Sequence, residues 1–252
     1  MNEFTRLENL NGKVAVITGA GGQVGYATAV RLAEQGCSIV GLVRSKVQEA
    51  EAKFATLPNS QLGHRVIQAD VVDTASLIAA RDQIDRCDIL VNCASITKNV
   101  KPENLDFLTD ELFDSIVTVN LRGTYAAIRT FVPLLRATGD GLIVNISSTS
   151  AQGASTSNLA YGASKSGINL ITKSLGKALA PEIRVVAVVP GFMETPTSGA
   201  TKPPGMNEKQ ADTCPLKRIG YGDDVACTIE AIATHIRYAT GTIILIDGGR
   251  TV

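Results

Sequence analysis

The sequence predicts a doubly wound α/β fold: one parallel sheet of about seven strands with helices on both faces, in a single domain spanning residues 1–252. Three observations predict it. Short β-branched runs alternate with helical stretches from Lys13 to Asp247, as parallel strands and their crossover helices do. The candidate strands lead into Gly19, Arg44, Asp70, Asn92, Ser148 and Pro190, and ligands of such sheets bind at the carboxyl ends of the strands. No internal repeat, linker or low-complexity block divides the 252 residues, and an apolar content of 44% suffices for one core.

Composition narrows the function classes. Lys and Arg total 24, as do Asp and Glu, and no basic block stands out, so neither nucleic acid nor an anionic membrane is an expected partner. Met1 to Asn11 is polar and carries Glu3, Arg6 and Glu8, unlike a secretory leader, and no apolar run reaches membrane-spanning length. A cytoplasmic protein is expected. Cys37, Cys87, Cys93, Cys214 and Cys227 are odd in number and widely spaced, without a Cys-x-x-Cys pair. Buried thiols are expected, not disulfides or a metal site.

Lys13 to Thr18 reads as the first strand. It runs into Gly19, Ala20, Gly21, Gly22, Gln23, Val24 and Gly25, then into helix formers as far as Gln35, where Gly36 stops the helix. A strand, a glycine-rich turn and a helix N-terminus make an anion site, because free backbone N–H groups and the helix dipole face whatever lies above the turn. A dinucleotide pyrophosphate fits that description. Ser38 to Val43 reads as the second strand, ending at Arg44 and Ser45, and Val47 to Leu57 as a helix broken by Pro58. His64 to Gln68 is a third strand, ending at Asp70 and Val71, where the carboxylate could accept from an adenine amino group or cap a helix before Thr74. Asp88 to Asn92 is a fourth, leading into Cys93, Ala94 and Ser95. Thr109 can cap a long helix whose residues Phe113, Ile116, Val117, Thr124, Ile128, Phe131 and Leu135 recur at helical spacing. Asn120 interrupts that stripe, and a buried amide without partners costs a few kcal/mol, so it is either a structural or a functional group.

Leu142 to Ile146 reads as a buried central strand ending in Ser147 and Ser148. Thirteen residues after Ser148 comes Tyr161, and Lys165 follows one helical turn later on the same face. A phenol titrates near ~10, and a neighbouring cation favours its phenolate. The pair suggests proton transfer to an oxygen. Its helix continues through Ile168, Ile171, Leu175 and Leu179 to Pro181, and Val185 to Val189 is a sixth strand followed by Pro190, Gly191, Phe192 and Met193. The stretch 192–213 is read as a substrate lid, since Pro196 to Thr213 is rich in Thr, Gly and Pro. A helix from Asp223 to His235 and a last strand from Gly241 to Asp247 complete the chain.

From Lys13 to Gly249 these ordered motifs resemble the compact branch of the short-chain dehydrogenase/reductase family, whose members carry a Ser on the strand before the catalytic helix and a Tyr-x-x-x-Lys on it. The resemblance implies a Rossmann-type fold and an NAD(P)-dependent oxidoreductase that interconverts a secondary alcohol and a ketone. A carbonyl reductase or alcohol dehydrogenase, similar to the 3-oxoacyl reductases, is expected. It implies that Tyr161 exchanges the proton, Lys165 lowers the Tyr161 pKa and holds the nicotinamide ribose, Ser148 donates to the carbonyl oxygen, and Asn120 organises a water. It further implies that Asp70 and Val71 meet the adenine, that Asn92, Cys93 and Ala94 approach the cofactor, and that Pro190, Gly191, Met193 and Thr195 border the nicotinamide. Two departures concern the cofactor: Cys93 and Ser95 depart from the family's Asn-Asn-Ala-Gly, and Gln23 replaces a glycine. The Gln23 side chain is expected to point away from the pyrophosphate or to hydrogen-bond it, with Gly21 and Gly22 placing the phosphate-binding amides.

NADP(H) is expected ahead of NAD(H). A carboxylate ending the second strand would accept from the ribose hydroxyls and repel a 2′-phosphate, but Val43 stands there, and Arg44 can engage a phosphate with two charge-assisted hydrogen bonds, aided by Ser45. The glycine-rich turn holds no second cation. Gly19, Gly22 and Gly25 also spell the Gly-x-x-Gly-x-x-Gly of the family's longer branch, which leaves a sugar-nucleotide epimerase or dehydratase retaining NAD as the alternative. A catalytically silent dinucleotide sensor is disfavoured, because all four candidate catalytic residues are present. The apolar surface of the helices around Asn120 and Lys165 predicts a homo-oligomer, a tetramer by the resemblance, with a small carbonyl or alcohol as the other partner.

Overall fold

In the computed structural model, which describes residues 9–153, 157–194 and 205–251, strands and helices alternate along the chain. β1 (Val14–Thr18), α1 (Gln23–Glu34), β2 (Ser38–Val43), α2 (Val47–Phe54), β3 (Arg65–Gln68), α3 (Thr74–Arg81) and β4 (Ile89–Asn92) form the first half. The second half comprises α4 (Asp110–Val117), α5 (Gly123–Ala137), β5 (Gly141–Ile146), α6 (Leu159–Ala178), β6 (Ile183–Pro190), α7 (Met206–Asp212), α8 (Gly222–Thr234) and β7 (Thr242–Ile246). All strand pairs are parallel, in the order β3-β2-β1-β4-β5-β6-β7. The chain moves outward from β1 to β3, returns to pair β4 with β1, and then moves outward the other way. That reversal opens a crevice between the carboxyl ends of β1 and β4.

Successive side chains of a strand face opposite sides, and here both sides are apolar. Ala15 and Ile17 of β1 join Ile39, Val144 and Val188 in a core closed by Leu32 of α1 and by Val225 and Ile229 of α8. Val16 joins Val40, Leu90, Ile143 and Val185 in the other core, closed by Leu77 of α3 and by Phe131 and Leu135 of α5. Burying each such side chain contributes about 1.5–3 kcal/mol. The sheet is thereby held rigid beneath its carboxyl edge.

One helix differs from the sequence expectation. Thr109 does cap α4, accepting from the Leu112 N–H at 3.3 Å, but the long helix is not regular: Thr118–Arg122 form a π turn before α5. A π turn inserts a residue into the helix and re-aims its side chains; Asn120 lies inside it and is fully buried. The segment read as a substrate lid contains the short helix α7. Positions 195–204 of that segment, Thr195 among them, lie outside the described residues.

Candidate active site

A cleft of about 250 Å³ opens at the reversal point. Gly19, Gly21 and Gly22 line it together with Ala94, and so do Arg44 and Ser45 after β2 and Asp70 and Val71 after β3. The backbones approach closely. A Cβ at Gly19, whose φ is +66°, would lie 2.8 Å from the Ala94 amide nitrogen, and one at Gly25 would lie 2.5 Å from the Gly19 carbonyl oxygen. Thr18, which the sequence reading passed over, fastens the two strand ends: its Oγ1 accepts from the N–H groups of Cys93 and Ala94, each at 3.2 Å. Gly22 is the N-cap of α1, without a side-chain capping bond and with no acid in the first turn. The first-turn N–H groups are therefore free for an anion, and the cradle fits a pyrophosphate.

Not every expected cofactor residue turns its side chain to this cleft. Gln23 lies against the start of α8, where a Cβ added at Gly222 would meet Gln23 Cγ at 2.9 Å, and Val24 packs against the core under α1. What these two present to an anion is backbone N–H. Asp70 accepts from the Val72 N–H at 3.1 Å, and the residue that caps α3 is Asp73, which accepts from Ala75 at 2.9 Å. Asn92 donates to Asn145 at 2.9 Å, and Asn145 to Thr172 at 3.0 Å, a buried amide chain across β4, β5 and α6. After Pro190, Gly191 donates to the Ile246 carbonyl at 3.2 Å and has no room for a side chain, since a Cβ would meet Asp247 Cβ at 2.7 Å. Met193 forms an isolated bridge with Gly220.

The structure brings Ser148, Tyr161 and Lys165 together. Ser148 Oγ accepts from the Ser150 N–H at 3.2 Å, which leaves its own hydrogen to donate. Burial raises the Tyr161 phenol above its ordinary value, and the hydrogen bond from Ser148 offsets part of that. Lys165 is buried, donates to the Ile146 carbonyl at 2.8 Å, and places Nζ 5.5 Å from the centroid of the Tyr161 ring. Burial lowers its pKa to about 8, partly countered by Cys93. Desolvation of the ring dominates in this arrangement, so Tyr161 is a protonated phenol at neutral pH.

Asn120 is tied into the protein on three sides. Its amide donates to the Ile96 carbonyl at 3.0 Å and to Ser164 Oγ at 3.2 Å, and accepts from the Ile96 N–H at 2.8 Å. Both amide hydrogens are committed to protein, so the side chain can engage a water only by accepting at Oδ1. It ties the segment after β4 to α6, and Ser164 in turn donates to the Tyr161 carbonyl at 2.7 Å. Asn158, unremarked in the sequence reading, completes the mounting. Fully buried at the N-cap of α6, it accepts from the Tyr161 N–H at 2.7 Å and donates to the Lys98 carbonyl at 2.7 Å. Its signal was available as an Asn just ahead of a helical run.

A family model described as enoyl-(acyl carrier protein) reductase matches residues 19–251. The chain is 34% identical to the 3-oxoacyl-(acyl-carrier-protein) reductase of Thermotoga maritima, over 96% of this chain and 99% of that one. The chain belongs to the short-chain dehydrogenase/reductase family. Another relative of this dehydrogenase/reductase is the 7alpha-hydroxysteroid dehydrogenase of Bacteroides fragilis, 30% identical over 99% of this chain and 97% of that one. The crystal structure of 3-oxoacyl-(acyl-carrier protein) reductase from Brucella melitensis superposes with a TM-score of 0.87 at 28% identity, covering 97% of this chain and 93% of that one. The enzyme therefore carries out NAD(P)-dependent interconversion of an alcohol and a ketone. No helix among the described residues is long and apolar enough to cross a membrane, and no acidic, His or Cys cluster among them could hold a metal ion.

Proposed function

We propose an NADP(H)-preferring reductase whose substrate is a small ketone of the 3-oxoacyl type, with Ser148, Tyr161 and Lys165 as its catalytic residues. A bound nicotinamide supplies the hydride. Tyr161 gives its proton to the carbonyl oxygen, for which the protonated, buried phenol is suited, and Ser148 donates a hydrogen bond to the same oxygen as charge develops. Lys165 remains charged at neutral pH and offers its remaining N–H donors to the ribose hydroxyls. Asn120, Ser164 and Asn158 are positioning residues that fix the first turns of α6. Reductases and dehydrogenases among relatives of the same length support this reading over the sugar-nucleotide epimerase.

The observation that carries the cofactor preference is Arg44, which lines the cleft, is exposed, and makes no ion pair among the described residues. No carboxylate replaces Val43 to repel a 2′-phosphate. A lid at 192–213 and a cytoplasmic homotetramer belong to the same proposal. The five cysteines are free, as in reducing compartments, and Phe113, Tyr125 and Leu170 are exposed on α4, α5 and α6. The test is the ratio of kcat/KM for NADPH and NADH in the wild type and in Arg44→Ala. The wild type should prefer NADPH, and the preference should fall at least about tenfold in the variant, about 1.4 kcal/mol; a wild type that prefers NADH with no change in Arg44→Ala refutes the preference.

A further inference from the structure

The glycine-rich turn has no cation of its own, yet one reaches it through space. Lys53, near the end of α2, stands 32 residues from Gly21 and donates from Nζ to the Gly21 carbonyl at 3.3 Å. Its stem is laid across α1: Nζ lies 5.7 Å from the centroid of the Tyr26 ring, and the Tyr26 hydroxyl pairs with Thr56 Oγ1 at 3.0 Å. Lys53 lines the same cleft as Arg44, Ser45 and Gly21. Neither Lys53 nor Arg44 is neutralised by a carboxylate among the described residues, whereas the nearby Glu49 is held by Lys46 at 3.2 Å. An ammonium has three N–H donors, and the Gly21 carbonyl uses one of Lys53's.

We infer that Lys53 is a specificity-determining residue that closes, opposite Arg44, a two-cation cradle for the 2′-phosphate of NADP(H). The inference rests on the NADP(H) reading and adds to it a residue on a different element. Arg44 extends from the end of β2 and Lys53 from α2, so a dianionic phosphate between them exchanges water for two charges of opposite sign to its own. The Gly21 and Tyr26 contacts hold the ammonium in place before the phosphate arrives, which lowers the ordering cost of binding. A nucleotide without the 2′-phosphate offers Lys53 no comparable partner at this point of the cleft.

The experiment is calorimetric titration of the full-length protein, with no turnover involved, using 2′,5′-ADP and ordinary 5′-ADP as probes. The variants are Lys53→Met, which keeps the stem and removes the charge, Lys53→Arg, which restores the charge, and Arg44→Met. Wild type should bind 2′,5′-ADP more tightly. Lys53→Met should lose at least about tenfold in 2′,5′-ADP affinity while 5′-ADP affinity changes less than about threefold, and Lys53→Arg should recover most of the loss. Unchanged 5′-ADP binding also certifies the fold of each variant. If wild type prefers 2′,5′-ADP and Arg44→Met abolishes the preference while Lys53→Met leaves it intact, the role of Lys53 is refuted and the NADP(H) reading survives. If wild type binds both probes alike, both are refuted. Equal loss of both probes in Lys53→Met would make Lys53 a support of the turn and likewise refute its role in specificity.

Discussion

Lys165 is only 3% exposed and donates to the Ile146 carbonyl, so its ammonium sits where water cannot solvate it. From an ordinary value of 10.5 its pKa falls to about 8, with desolvation the main cause. The folded state thus binds fewer protons than the unfolded chain between those values, and this group makes stability rise with pH across that window. Below about 8 the full penalty of the buried charge is present; above about 10.5 it is gone. Lys165→Met should therefore gain on the wild type in unfolding free energy at pH 7 relative to pH 10.5, by a difference on the order of 3 kcal/mol. Urea titrations of the cofactor-free proteins at both pH values measure it, and a pH-independent difference would mean that the ammonium is solvated in the folded protein. The catalytic role proposed for Lys165 places a charge here that the fold alone disfavours.

The glycine-rich turn and the start of α1 show how an element is set by what approaches it. Gly25→Ala would put a methyl group 2.5 Å from the Gly19 carbonyl oxygen, a backbone atom that cannot yield, so dinucleotide binding should be lost with about 1–3 kcal/mol of stability. Gly21→Ala meets nothing closer than Val43 Cγ1 at 3.7 Å and should unfold within about 0.5 kcal/mol of the wild type. Thermal melting compared across the pair checks both. Much of this level was legible in sequence because its signals are local. β2 was read as Ser38 to Val43, as found, from a β-branched run between breakers, and β1, β4 and β7 differ by a residue at their ends. The π turn was not legible, since the stripe from Ile116 to Leu135 has helical spacing on either side of it. β6 begins at Ile183, two residues early, because Arg184 masks the apolar run while its guanidinium donates to backbone carbonyls after α8. In the site, the spacing of Ser148, Tyr161 and Lys165 was readable along the chain. The reach of Lys53 to Gly21 and the Asn120 bonds to Ile96 exist only once distant segments meet.

At the scale of the whole molecule, two cores hold the sheet from either face, and the outer surfaces of α4, α5 and α6 remain apolar. Leu170 is 66% exposed and Tyr125 46%, more than solubility alone would favour on neighbouring helices. If these helices pair in a homo-oligomer, Leu170→Glu should shift sedimentation toward the monomer while the far-ultraviolet dichroism stays unchanged; an unaltered assembly would place the interface elsewhere. A rigid parallel sheet delivers a cofactor cleft and a protonated phenol to one edge, where an alcohol and a ketone are interconverted. Tyr161→Phe tests it most directly, because it removes one oxygen from the α6 face and leaves the Asn158 cap, the Lys165 contact and the cleft in place. Binding of NADPH by calorimetry should be unchanged within about threefold and turnover of a 3-oxoacyl thioester should fall at least about a thousandfold; a variant that binds NADPH normally and keeps substantial turnover would contradict the account.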